Sequence, residues 1–291
     1  MISFSAHNIP VQGGAIGSLR LNSAYKNAAA LIWINGGPGG TYVDENHSIG
    51  AVTQDRDVIL YDQLGSHHSP AAFDASLTSM PRFVEELKTV FDYHGIDQAI
   101  LLGHSFGGSV AVDFALQYPD RVKAAIFSSP LLSTPRWIDD ANLLLSQMPL
   151  KERDIIQRQL QHNDVEEAVY EAAERVFYNR HLCRLDPWPE RLLQGFSKSN
   201  REIYRAMWGI SEFTCTGTLK DYDRFPDLAQ LSMPVFLTCG RYDEATPETI
   251  GDAARKIKGA QFQVFEQSSH TPAYEEPETY ISAMRGFTNG L

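Results

Sequence analysis

Three residues set far apart in this 291-residue chain have the types, and the order, that acyl transfer needs: Ser105, Asp243 and His270. A serine hydroxyl is a weak nucleophile at neutral pH. It needs a base to take its proton and an acid to orient the base. Ser105 lies in Gly103-His104-Ser105-Phe106-Gly107, the Gly-x-Ser-x-Gly spacing of a nucleophile elbow. That motif needs a strand before it and a helix after it. Gln98–Leu102 is an apolar run suited to a buried strand, and Ser109–Gln117 is patterned as a helix. After Ser105 the only histidines are His162, His181 and His270. His270 alone follows a strand-like run, Phe262–Phe265, and Asp243 follows the preceding one, Val235–Thr238. Singly, Asp243 reads equally well as a turn residue and His270 as a loop residue. Together, after successive strands in the order Ser, Asp, His, they read as a triad. A tetrahedral intermediate also needs two N–H donors. One falls to Phe106, directly after the nucleophile. The other falls to Gly37 in Asn35-Gly36-Gly37-Pro38-Gly39-Gly40, where the glycines let backbone approach a ligand closely. A phosphate loop is the rival reading of that segment, but no Gly-Lys-Ser/Thr follows it.

The elements that must position these residues are legible as an alternation. Short apolar runs at 30–34, 57–61, 99–102, 124–127, 235–238 and 262–265 lack the in–out alternation of half-exposed strands, so they suit strands buried on both faces. Helical patterns at 81–94, 249–258 and 277–287 lie between or after them. Alternating strands and helices predict a mostly parallel sheet with helices on both faces. Gly13, Gly14 and Gly17 punctuate a leading segment that fits an antiparallel hairpin. From 131 to 225 the buried-strand runs stop. Charged helical patterns (150–162, 165–180) and aromatic segments replace them. The expected organisation is a core of residues 1–130 and 226–291 with a helical cap of residues 131–225 inserted after the sixth strand.

Composition bounds the partners. The chain is 43 % hydrophobic and carries 25 basic against 36 acidic residues, a formal net charge of −11. That balance argues against a nucleic-acid partner. No apolar stretch approaches the roughly 18 residues of a membrane span, so no membrane role is expected. Three cysteines, Cys183, Cys215 and Cys239, form no C-x-x-C pair. They read as free thiols in a reducing compartment, and Met1–His7 shows no basic-then-apolar leader, so the expectation is a cytoplasmic protein. These residues imply no metal and no organic cofactor.

Gly36-Gly37-Pro38-Gly39, Asp62-Gln63-Leu64-Gly65-Ser66 and the elbow together resemble the proline iminopeptidases, α/β-hydrolases that remove one N-terminal residue from peptides, and their archaeal tricorn-associated relatives. Residues 208–221, 240–247 and 269–277 are also similar to that family. Asn35 stands where the family usually has His, and His67 where it usually has Gly, departures that bear on the entrance loops and not on the triad. The resemblance implies an α/β-hydrolase fold, short peptides with a free N-terminus as substrates, and association with a larger protease system. It also implies carboxylates that hold the substrate's α-ammonium, here Glu212 and Glu244, since a charge-assisted hydrogen bond suits a cation. Trp208 and Phe213, flanking Glu212, would shape a ring pocket. Asp62 and Gln63 are expected to organise loops, and Glu275 and Glu276 to be acids at a helix start. An amino-acid amidase, an esterase or lactonase, and a silent ligand-binding homologue are the competing readings on this fold.

Overall fold

A computed structural model describes residues 3–23, 28–43, 55–289 and 291. Met1 and Ile2, part of the segment read for a leader, lie outside them. Among the described residues eight strands form one sheet in the order β1-β2-β4-β3-β5-β6-β7-β8. The strands are β1 Ser3–Val11, β2 Gly14–Asn22, β3 Ala30–Ile34, β4 Val58–Tyr61, β5 Ala99–His104, β6 Val122–Ser128, β7 Val235–Gly240 and β8 Gln261–Phe265. β1 and β2 make the antiparallel hairpin, turned through Gly13 at φ +92°. β2 joins β4 antiparallel, and every pairing beyond that is parallel.

The continuous apolar runs are buried on both faces because helices cover both. Ile32 and Ile34 of β3 point into a cluster with α1 (Met80–Tyr93) and α2 (Phe106–Gln117). Leu31 and Trp33 point the other way, into a cluster shared with Tyr280 and Met284 of α10 (Pro277–Thr288). α2 begins three residues earlier than its sequence pattern. Gly107 and Gly108 are poor helix formers, but packing requires them: a Cβ on Gly107 would lie 2.1 Å from the Ile34 carbonyl oxygen, and one on Gly108 2.5 Å from Pro130 Cβ.

Between β6 and β7 lie five helices among the described residues: α3 Thr134–Ser146, α4 Leu150–His162, α5 Glu167–His181, α6 Glu190–Lys198 and α7 Arg201–Met207. They carry a small core of their own, in which Phe177 of α5 is fully buried against Ala141 and Leu145 of α3 and Ile156 of α4. α8 (Pro247–Lys256) and α9 (Pro272–Glu275) follow β7 and β8. Among the described residues no helix is long and apolar enough to cross a membrane.

Candidate active site

Ser105 sits between β5 and α2 at φ 54°, ψ −122°. This is a left-handed conformation that costs a non-glycine residue about 1–3 kcal/mol. Neighbouring loops hold it there. The Ser105 N–H donates to the Ser128 carbonyl (3.0 Å), and the Ser105 carbonyl accepts from the N–H groups of Gly108 (2.9 Å) and Leu131 (3.1 Å). The residue is half-buried, so its hydroxyl is reachable.

Asp243 follows β7 and is buried. Its Oδ2 accepts from the Gly240 N–H (3.1 Å) and the Ser129 hydroxyl (2.6 Å), and its Oδ1 from the Ala245 N–H (2.8 Å). These contacts aim Oδ1 at His270, whose Nδ1 lies 2.7 Å away. Donation from Nδ1–H to the carboxylate leaves Nε2 as the basic nitrogen. Trp137 packs edge-on against the His270 ring at 5.7 Å, and His104 lies across it at 4.9 Å. His104 Nε2 donates to the His270 carbonyl (2.9 Å). Burial and the adjacent imidazole push the His104 pKa down to about 4, so it stays neutral.

The loop that carries His270 is clamped by acids whose sequence position suggested another task. Glu275 accepts from the Ser269 N–H (2.9 Å), the Ser269 hydroxyl, the Thr271 N–H (3.3 Å) and the Arg184 N–H (2.8 Å). Glu276 accepts from the Gln267 N–H (2.9 Å) and the Ser268 hydroxyl (2.6 Å). Both carboxylates therefore fold back onto the loop and do not act simply as helix-start acids. The short α9 reverses the chain between loop and glutamates, which their sequence position alone does not reveal. The C-terminus of α5 docks on the same loop: the His181 carbonyl accepts from the His270 N–H (3.2 Å).

The glycine-rich loop lies against the elbow. A Cβ on Gly36 would meet Ser105 Cβ at 3.1 Å. Gly37 has φ +57° and open space beside it. Among the described residues neither the Gly37 nor the Phe106 N–H has a protein acceptor. Asp62, fully buried, ties this loop to the next one. It accepts from Asn35 Nδ2 (3.1 Å), the Thr41 hydroxyl (2.8 Å), and the N–H groups of Tyr42 (2.8 Å) and His68 (2.9 Å). Gln63 takes no part in that clamp. Its buried amide has no partner at either end among the described residues.

Glu244 lies on the Nε2 side of His270, and Glu212 is near enough to act on the charge of both. Glu244 is 3 % exposed; its Oε1 lies 3.8 Å from His270 Nε2 and its Oε2 is buried without a partner. Glu212 Oε1 accepts from the hydroxyls of Tyr204 and Tyr178, the latter at 3.4 Å. Burial raises the pKa of both carboxyls, and Glu212 raises Glu244 further. On His270 burial acts downward, but the carboxylates of Asp243, Glu244 and Glu212 outweigh it and lift the ring to about 9. Trp208 is buried beside this group, its Nε1–H donating to the Ser211 carbonyl (3.0 Å) and its ring edge-on to Trp137 at 6.4 Å. Phe213 packs into the core of the helical layer against Phe177 (4.8 Å).

Sequence reading passed over Ser129, Trp137, Tyr178, Tyr204 and Glu174. The last is half-buried on α5 with its Oε1 accepting from the Tyr170 hydroxyl (3.0 Å). Tyr170, Glu174 and Tyr178 recur every four residues, which puts them on one helix face. That spacing is the signal that could have found them.

Known proteins resemble this chain in fold and in family. A family model described as alpha/beta hydrolase fold matches residues 29–277. A proline iminopeptidase of Heyndrickxia coagulans is 38 % identical over 284 residues, covering 97 % of this chain and 98 % of that one. Another, from Saccharolobus solfataricus, is 32 % identical over 297 residues, covering 98 % and 95 %. The crystal structure of a proline iminopeptidase from Mycobacterium smegmatis superposes with a TM-score of 0.89 at 28 % identity, covering 98 % of this chain and 97 % of that one.

Proposed function

The chain belongs to the proline iminopeptidase family of α/β-hydrolases, and from that premise we propose that it is a serine aminopeptidase that releases a single N-terminal residue, proline before others, from short peptides. The observation that carries this reading inside the site is the pair Glu212 and Glu244. Two carboxylates, Glu244 buried and Glu212 half-buried, paired to no lysine or arginine among the described residues, suit a ligand cation. A free α-ammonium is that cation.

With the ammonium seated between Glu212 and Glu244, the first carbonyl lies at Ser105. The Ser105 Oγ attacks the carbonyl carbon while His270 Nε2 takes the hydroxyl proton. The carbonyl oxygen becomes an oxyanion and accepts from the N–H groups of Phe106 and Gly37. Asp243 holds His270 in the tautomer with Nδ1 protonated and stabilises the imidazolium. The intermediate collapses, the C–N bond breaks, and His270 gives its proton to the leaving amine. Water, deprotonated by His270, then attacks the acyl-enzyme, and Ser105 leaves with the proton returned. Trp208 is assigned to the wall of the pocket for the released residue; Phe213, expected there from its place beside Glu212, is buried in the core of the helical layer and does not line it. Residues 131–225 act as a cap over a core of residues 1–130 and 226–291, and the anchored amine limits entry to one residue. Removing one residue per turnover suits chains that a larger protease has already shortened. The three free cysteines suit a reducing cytoplasm.

The charge around His270 gives binding a second role. The carboxylates of Asp243, Glu244 and Glu212 favour the protonated imidazole in the free enzyme, and a protonated ring is no base. A substrate ammonium between Glu212 and Glu244 cancels the carboxylate charge that holds this proton, so the base is freed as the amine docks. Because the base must be neutral, kcat/KM should rise with pH as the free enzyme's imidazolium loses its proton. Glu244→Gln removes one carboxylate and should move that limb to lower pH, toward the ordinary histidine value of about 6.5. The pH profiles of kcat/KM for both enzymes decide this, and coincident limbs would remove Glu244 from the tuning.

The function itself is tested with a prolyl arylamide beside its N-acetylated twin. The free-amine compound should be cleaved at least about a hundredfold faster in kcat/KM, the worth of one buried charge pair. Equal cleavage of both would leave a general amidase.

A further inference from the structure

A depression beside the glycine-rich loop carries the opposite charge to the amine anchor. It has a volume of about 470 Å³ and lies between the core loop 65–71 and residues 197–202, where α6 gives way to α7. Lys198, Arg201 and His67 line it, and among the described residues Glu202 is the one acid there. Neither Lys198 nor Arg201 has an ion-pair partner among the described residues. Burial, His68 and Lys198 push the His67 pKa down, which places the ammonium near that ring and leaves the ring neutral, with one N–H to donate. Ser66 lines the same depression; it is 1 % exposed and its Oγ is buried without a partner. A buried hydroxyl left unpaired is costly, and this one is an independent sign that an acceptor is missing here.

The glycine turn ties this depression to the triad. Gly36 lies against Ser105, and Gly37 carries the assigned oxyanion donor. The Gly40 N–H donates to the Gly37 carbonyl (2.9 Å) and closes the turn. Gly39 packs on Asn200, which lines the depression: a Cβ on Gly39 would lie 2.7 Å from the Asn200 carbonyl oxygen, and the Asn200 N–H donates to the Gly39 carbonyl (2.9 Å). Asn200 Nδ2 donates to the Gly65 carbonyl (2.8 Å), which joins the two walls. From Gly36 to Gly39 the chain advances at most about 11 Å. An extended peptide covers about 3.5 Å per residue, so two or three residues beyond the scissile bond span that distance.

We infer that Lys198, Arg201, His67 and Ser66 form a subsite for the C-terminal carboxylate of the substrate, and that the enzyme thereby favours tri- and tetrapeptides with a free C-terminus. This rests on the aminopeptidase reading: with the ammonium held at Glu212 and Glu244, the chain beyond the scissile bond leaves on another side of Ser105. The protein carries a formal charge of −11, so an approaching carboxylate is repelled over most of the surface. The two unpaired cations offset that repulsion locally. The four residues touch the departing peptide and no reacting atom.

The test compares a tetrapeptide of proline followed by three glycines with the same peptide amidated at its C-terminus. In the wild type at low salt the free acid should lead in kcat/KM by about fivefold, the effect of a carboxylate meeting exposed cations. Raising the ionic strength from about 0.01 to about 1 M shortens the screening length from about 30 to about 3 Å and should bring the ratio toward one without any variant. The double variant Lys198→Gln, Arg201→Gln should bring it to about one at low salt, and Lys198→Arg should keep it. A general loss of activity scales both peptides and leaves the ratio in place. A wild-type ratio near or below one at low salt, a ratio that survives the double variant, or cleavage of a prolyl arylamide with neither peptide turned over would overturn the subsite. Failure of the wild type on the arylamide and both peptides would overturn the aminopeptidase reading instead, and the subsite with it.

Discussion

Ser105→Ala is expected to lower turnover of a prolyl arylamide by at least about ten-thousandfold, because loss of the nucleophile leaves only binding and the oxyanion donors. The fold should survive. Among the described residues the Ser105 side chain makes no hydrogen bond that holds the elbow; the backbone contacts to Ser128, Gly108 and Leu131 do. The left-handed φ of 54° costs alanine no less than serine, so stability should change little. Three measurements belong together: kcat, thermal unfolding, and labelling by an organophosphonate that reacts with activated serines. The wild type should label and the variant should not, with melting temperatures close to each other. Retained turnover would point to another nucleophile. Lost turnover with a collapsed melting temperature would report folding and not chemistry, and Ser105→Gly would then be the cleaner variant.

Glu212→Gln should separate substrates by their amines. Glutamine keeps the size of the side chain and an oxygen for the hydroxyls of Tyr204 and Tyr178, so the local packing is retained. It removes the charge. The expected loss is about a hundredfold in kcat/KM on a prolyl arylamide, since breaking one half of a buried charge pair costs about 2–5 kcal/mol. A simple acetate ester has no ammonium to place, so its hydrolysis by Ser105 should change by no more than about threefold, within about 0.7 kcal/mol. The ratio of the two losses is the readout. Equal losses would reduce Glu212 to a structural support for the segment between α7 and β7. Loss on the ester alone would mean that Glu212 acts through His270 and does not hold the amine.

The sequence alone carries the frame of this molecule because the frame is written in local patterns. Continuous apolar runs at 30–34 and 235–238 can only be strands covered on both sides, and α1 and α10 announce themselves by helical spacing after a proline. The elbow is partly local: a Cβ on Gly103 would meet the Gly107 carbonyl oxygen within the same five residues, whereas glycine at 107 is demanded by the Ile34 backbone of β3. The order Ser105, Asp243, His270 is enough to nominate a triad, since loops after successive parallel strands open on the same edge of a sheet.

Other features were settled only by the tertiary structure. The 2.7 Å approach of His270 to Asp243, the loop clamps made by Glu275 and Glu276, and the docking of His181 on the His270 loop join residues that no sequence period relates. Tyr178 reads in sequence as one more aromatic on an acidic helix. It becomes part of the site because its hydroxyl donates to Glu212. The upward pull on the His270 pKa likewise comes from three carboxylates brought near the ring from separate parts of the chain. Burial and distance between remote residues arise only when the chain has closed on itself, so side-chain type can suggest the chemistry of this site while its charge state belongs to the fold.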